Sequence, residues 1–209
     1  MSVPFPKMQR PLVAILRGVK PVEAEGLVGA LIEAGMTAIE IPLNSPDPFR
    51  SIEIAVRLAP AGTLIGAGTV LTTEDVDRLN DVGGRLMVSP NVDTQVIALA
   101  TAHGMVTMPG VFTPTEALLA ARAGASSLKF FPASVLGPSG IAAIRAVLPP
   151  DVMVAAVGGV SDQNFSDYVR SGVHAFGLGS SLYKPGMTTA DIAARARATI
   201  TAYDLALKG

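Results

Sequence analysis

The chain has 209 residues, 49% of them hydrophobic and 16% charged, with a net charge of -1 and no cysteine. Such a composition buries a sizeable core and excludes a disordered chain, while near-zero charge excludes an electrostatic footprint for nucleic acid or an anionic membrane. The lack of cysteine excludes disulfides and thiolate metal sites and agrees with a cytoplasmic location.

Residues 1–11, MSVPFPKMQRP, hold three prolines and lack the apolar stretch of a signal peptide, so they are expected to form an extended N-terminal segment. From residue 12 to 209, short apolar runs alternate with amphipathic segments. The runs are Leu12–Arg17, Thr37–Leu43, Thr63–Thr69, Leu86–Pro90, Met105–Pro109, Ser127–Phe131, Val152–Val157 and His174–Gly179. All are of strand length, too short to span a membrane. Their spacing of roughly 20–26 residues is that of one strand plus one helix.

Helix punctuation fills the intervals. Lys20-Pro21 sets a proline at a first helical position. Thr113-Pro114-Thr115-Glu116 reads as a capping box, and Thr72 with Asp75 and Ser161 with Asn164 as weaker starts. Gly35, Gly83, Gly104, Gly124 and Gly172 fall where helices should stop. In the first helix Val22, Leu27, Ala30, Leu31 and Ala34 share a face, and an alanine-rich helix over Thr189–Leu207 closes the chain. Eight alternating units without a linker predict a single-domain, closed (β/α)8 barrel. An open dinucleotide-binding sheet would want a glycine fingerprint after the first strand, and Arg17-Gly18-Val19-Lys20-Pro21 has none.

In such a barrel the site forms at the C-terminal ends of the strands. Lys129 lies in the apolar run Ser127–Phe131, where Leu128 and Phe130 face one way and Ser127, Lys129 and Phe131 the other. A buried lysine loses its proton readily and then serves as the nucleophile that forms Schiff bases. Taken alone, Lys129 also fits a strand-end lysine whose head reaches water. In the second run Ile39, Ile41 and Leu43 take the helix-facing side, which turns Glu40 into the barrel, as a proton shuttle or as an ion-pair partner of Arg17. Gly158-Gly159 and Gly179-Ser180 end the seventh and eighth runs, where barrels of this kind bind phosphate on backbone N–H groups; either pair could also simply make a tight turn. Arg17 suits a second anion such as a carboxylate. His103 and His174 fall at a helix end and at the opposite end of a strand, so no metal and no cofactor are expected.

The stretches ILRG, IEIPLNSP, IGAGTV, SPN, KFFPAS, AVGGV and GLGSSLY together resemble the class I aldolases of 2-keto-3-deoxy-6-phospho sugar acids, from about Leu12 to the last helix. The resemblance implies a retro-aldol cleavage to pyruvate and glyceraldehyde 3-phosphate, with Lys129 as the Schiff-base lysine and Glu40 as the proton donor and acceptor. It also implies that Arg17, Thr69, Gly158, Gly159, Gly179 and Ser180 bind substrate, and that the protein is a homotrimer. Of the two branches of that family, residues 40–46 and Val157-Gly158-Gly159 resemble the one acting on the galactonate-derived keto acid. Residues 110–116 resemble the gluconate branch more, and an enzyme serving both epimers is the alternative. Val157 replaces a threonine common in the gluconate branch and is expected to set the C4 preference. A non-catalytic phosphosugar-binding barrel is the alternative of another class.

Overall fold

All eight apolar runs become strands, and every strand pair is parallel. The structure, a computed structural model, describes residues 2–208. In chain order the strands are β1 (Leu12–Ile15), β2 (Ala38–Pro42), β3 (Leu64–Gly68), β4 (Leu86–Val88), β5 (Val106–Met108), β6 (Gly110–Val111), β7 (Leu128–Phe130), β8 (Val154–Val157) and β9 (Ala175–Leu178). Their order in the sheet is β5-β4-β3-β2-β1-β9-β8-β7-β6. Its two ends, β5 and β6, are separated in sequence by Pro109 alone, so they are two halves of one barrel strand. Proline has no N–H for the ladder, which interrupts the strand there. The Pro109 carbonyl is nevertheless used, accepting from the Lys129 N–H at 3.0 Å. The result is an eight-position (β/α)8 barrel whose fifth strand is split.

The helices are α1 (Pro21–Glu33), α2 (Pro48–Leu58), α3 (Thr73–Asp81), α4 (Thr94–Ala102), α5 (Pro114–Arg122), α6 (Ala133–Arg145), α7 (Phe165–Arg170) and α8 (Thr189–Ala206). Pro21 opens α1 as expected, the capping box at Thr113 and Glu116 forms, and Thr72 Oγ1 accepts from the Asp75 N–H. The five glycines at expected helix stops all have positive φ. Two expectations change. Val22 is 90% exposed, and the buried face of α1 is Ala24, Leu27, Val28 and Leu31, because the stripe is set by contact with the barrel rather than by hydrophobicity alone. Helix α7 starts at Phe165, with Asn164 as its N-cap. The Asn164 amide is engaged in the preceding loop, accepting from the Ser161 N–H and donating to the Gly159 carbonyl, both at 2.9 Å. Helix α6 is broken at Gly137, where φ is 71°, followed by Pro138.

Burial falls into two layers. Outward strand residues such as Ile39, Ile41, Leu128, Phe130 and Phe176 pack against the helices. Phe176 meets Phe165 and Tyr203 edge-on at 4.9 and 5.9 Å between centroids. Inward residues near the N-terminal end of the barrel, among them Val13, Ala38, Leu64, Val106 and Ala155, pack with Phe5. Residues 2–11 contain neither helix nor strand, and the Arg10 guanidinium ties them to Asp204 of α8 with two bonds of 2.8 Å. Among the described residues no helix is long and apolar enough to cross a membrane.

Candidate active site

Strand alternation and register decide which side chains enter the barrel. Ile39 and Ile41 take the helix-facing side of β2, so Glu40 points inward, in register with Ile15 of β1 and Gly66 of β3. Its carboxylate rises over Gly68: a Cβ there would lie 2.0 Å from Glu40 Oε2, so only glycine leaves it room. On β7, Lys129 is inward and in register with Gly110 and Ala155, two small neighbours. Its ammonium donates to the Ser89 carbonyl at 3.2 Å and lies 4.8 Å from the centre of the Phe131 ring.

Both ionisable groups are buried, Glu40 to 2% and Lys129 to 7% exposure. Burial pushes the Glu40 carboxyl up to about 7, against a smaller opposing pull from the charges of Lys129 and Arg17. It also pushes Lys129 down to about 8; the Glu40 charge works against that shift and Arg17 adds to it. Glu40 Oε2 has no hydrogen-bond partner. A buried carboxylate oxygen without a partner is costly, and it is the expected state of a group that exchanges protons with a ligand. Arg17 is not held by Glu40: its guanidinium donates to Asn44 Oδ1 at 2.5 Å. The ion-pair alternative for Glu40 therefore does not form.

One cavity of about 710 Å³ at the C-terminal ends of the strands is lined by Lys129, Glu40, Arg17, Thr69, Val157, Gly158, Gly159, Gly179 and Ser180, so every residue singled out in the sequence meets there. Thr69 follows β3 with φ of +58°, a left-handed conformation that a β-branched residue adopts only under constraint. Gly158 and Gly159 have φ of +88° and +80°; a Cβ on Gly159 would meet Ser134 Cβ at 2.4 Å. Val157 lies over Gly177, where a Cβ would be 2.6 Å from its Cγ2. Neither histidine lines the cavity; His103 pairs with Asp77 at 2.9 Å.

Sequence reasoning missed several contributors. The Ser89 carbonyl that holds Lys129 is a backbone atom and leaves no mark in a residue pattern. Asn164, which pins the Gly159 carbonyl, was legible only as a helix start. Ser161, Ser181 and Lys184 also line the cavity, brought there by loops whose course no periodicity predicts.

A parallel barrel that holds a desolvated lysine beside an unpaired carboxyl group, at the ends of its strands, defines a class of enzymes that work through an imine. Comparison with known proteins makes this specific. The family model described as KDPG and KHG aldolase matches residues 7–198. The chain is 73% identical over 207 residues to a probable 2-dehydro-3-deoxy-6-phosphogalactonate aldolase of Rhizobium meliloti (strain 1021), covering 99% of this chain and 98% of that one. It is 48% identical over 193 residues to the 2-dehydro-3-deoxy-6-phosphogalactonate aldolase of Escherichia coli (strain K12), covering 92% and 94%. Among solved structures, one described as native KDPGal superposes with a TM-score of 0.95 at 46% identity, over 97% of this chain and 98% of that one. The chain belongs to the KDPG and KHG aldolase family.

Proposed function

We propose that this chain cleaves 2-dehydro-3-deoxy-6-phospho-D-galactonate reversibly to pyruvate and D-glyceraldehyde 3-phosphate through a Schiff base on Lys129. The observation that carries this reading is the pairing, in one cavity, of a lysine lowered to about 8 with an unpartnered carboxyl group raised to about 7. The names of the two relatives support the substrate.

The neutral Lys129 amine attacks the C2 ketone, and Glu40 gives the proton with which the carbinolamine hydroxyl leaves as water. The resulting iminium accepts the electron pair of the C3–C4 bond as it breaks. Glu40, now a carboxylate, takes the C4 hydroxyl proton, which frees glyceraldehyde 3-phosphate and leaves an enamine. Glu40 returns that proton to C3; water then adds to the pyruvate iminium, giving a proton back to Glu40, and collapse of the carbinolamine releases pyruvate and restores the neutral amine. One group both gives and takes protons, which calls for a pKa near neutrality. Backbone N–H groups at Gly158, Gly159, Gly179 and Ser180 receive the phosphate, while Arg17 and Thr69 receive the carboxylate end. Binding at these remote points holds C4 against the base.

Val157 bears on the epimer. It offers no hydroxyl to either C4 configuration, so the galactonate-derived substrate is used at least as well as its gluconate-derived epimer, which is not strictly excluded. A non-catalytic binder has no use for a desolvated lysine and carboxyl pair, which burial makes costly. The family resemblance further supports a homotrimer in the cytoplasm.

Borohydride reduction in the presence of pyruvate tests the reading. The label is expected on the peptide containing Lys129, with loss of activity. Label on Lys184, the other lysine of the cavity, or no label at all would overturn it.

A further inference from the structure

Lys129 makes its hydrogen bond across a strand. It is rooted on β7, but its ammonium donates to the Ser89 carbonyl just past the end of β4, with the split strand β5–β6 between the two. Among the described residues no hydrogen bond or ion pair joins it to Glu40, although the Glu40 charge reaches it. A carboxylate can take the proton from an ammonium. An amide carbonyl cannot, so it stays an acceptor whatever the charge on the nitrogen.

That carbonyl is fixed from several sides. Ser89 is buried, and its N–H donates to the Met108 carbonyl at 3.3 Å. Its hydroxyl donates to the Asn91 carbonyl at 2.7 Å and closes the turn Ser89-Pro90-Asn91. The turn fills the place where Gly110 has no side chain. Gly110 is in register with the inward Lys129, and a Cβ on it would lie 2.3 Å from the Pro90 carbonyl oxygen.

We infer that the Ser89 carbonyl is a catalytic group, holding the Lys129 nitrogen through amine, carbinolamine and iminium, and that the Ser89 hydroxyl is the positioning group that sets it. This rests on the aldolase reading. The neutral amine brings two hydrogens to the ketone. One passes to the former ketone oxygen as the carbinolamine forms, and the other stays as the single N–H of the iminium. Donated to a fixed carbonyl, that N–H makes a charge-assisted bond while the nitrogen is cationic. It also sets the plane of the C=N bond, and the C3–C4 bond breaks fastest when it stands across that plane. Glu40, unpaired by Lys129, remains free to serve the C4 hydroxyl and C3.

The test reads the carbonyl directly. Protein labelled with carbonyl-13C serine and 15N proline gives coupled carbonyl NMR signals only from its two Ser-Pro pairs, Ser45-Pro46 and Ser89-Pro90. The Ser89 signal, assigned by its loss in Ser89→Ala, is expected to move with pH as Lys129 titrates near 8, and downfield when pyruvate is added. Glu40 and Arg17 are the other charged groups acting on Lys129; Lys129→Met keeps both and should abolish both movements. In Ser89→Ala, kcat should fall about tenfold, the scale of weakening a bond to a charged group, with a much smaller change in KM. The pH at which pyruvate forms its imine should move below about 8, since an acceptor carbonyl favours the ammonium. Ser89→Thr, which keeps the hydroxyl, should restore most of both. A Ser89 signal that ignores pH and pyruvate overturns the assignment, as does a Ser89→Ala variant that melts lower while its pH limb stays or rises. Failure of wild type to trap pyruvate with borohydride overturns the aldolase reading instead, and the pH movement of the Ser89 signal then still decides whether its carbonyl holds Lys129 in solution.

Discussion

The two ends of the barrel are made by the same strands and differ by a step of two residues. On β2 the inward side chain changes from Ala38 to Glu40, on β8 from Ala155 to Val157, and on β9 from Ala175 to Gly177. The lower positions pack with Phe5, Val13, Leu64 and Met108 into an apolar floor. The upper ones line the cavity. Lys129 is rooted at floor level, in register with Ala155, and its stem rises to the Ser89 carbonyl. The floor lies beneath Lys129 and Glu40, and the burial of these two groups is the largest cause of both pKa shifts. One end is arranged for stability, the other at its expense.

Lys129→Met should break that division most completely. Turnover and borohydride trapping are expected to vanish while the fold becomes more stable. A pKa lowered from 10.5 to about 8 means the folded state disfavours the ammonium by on the order of 3 kcal/mol. That penalty is present in full below about pH 8 and is relieved as pH rises toward the ordinary lysine value. The stability gain of the variant, read by thermal melts at several pH values, should therefore shrink above pH 8. A variant less stable than wild type at pH 7 would show the lysine to be structural.

Glu40→Gln keeps the shape and removes the base. Turnover should drop by about 10²- to 10⁴-fold, with a much smaller change in KM. The Glu40 charge raises the Lys129 pKa, so the pH at which pyruvate forms its imine should move below the wild-type value of about 8. Loss of binding with kcat retained, or a limb that moves upward, contradicts the assigned role.

Phe5→Ala addresses the opposite end. Emptying its place in the floor should cost about 3–5 kcal/mol of stability, measured by denaturant unfolding. The kcat of the protein still folded should stay within a few-fold of wild type. An equally large fall in kcat would mean that the two ends are not separable.

The smallest effect is expected at Val157. Threonine has nearly the same volume and adds a hydroxyl within the cavity. Its bond to one C4 epimer is worth about 0.5–1.5 kcal/mol. Val157→Thr should therefore shift the ratio of kcat/KM for the two epimeric substrates by roughly threefold to tenfold toward the gluconate-derived one. An unmoved ratio would remove Val157 as the selector.

The sequence by itself determined the barrel, because eight strand-length apolar runs at unit spacing, with capped helices between them, leave few other ways to bury the chain. It also oriented Glu40 and Lys129, since a period of two is local and the apolar neighbours Ile39, Ile41, Leu128 and Phe130 take the other face. Glycine pairs could be matched to the C-terminal ends of the strands for the same local reason: a turn advertises itself in residue type. Tertiary structure alone decided the rest. Only the closed sheet shows that Pro109 splits the fifth strand, because proline announces a missing N–H but not the partner that goes without it. Only packing against the barrel turned Val22 outward and made Ala24 and Val28 the buried face. The anchor of Lys129 is a backbone carbonyl 40 residues away, Arg17 is held by Asn44 rather than Glu40, and Ser181 and Lys184 reach the cavity through a loop. Each of these is a contact between segments distant in sequence, and no local pattern of side chains encodes which backbone atom or loop will stand opposite once the chain has closed.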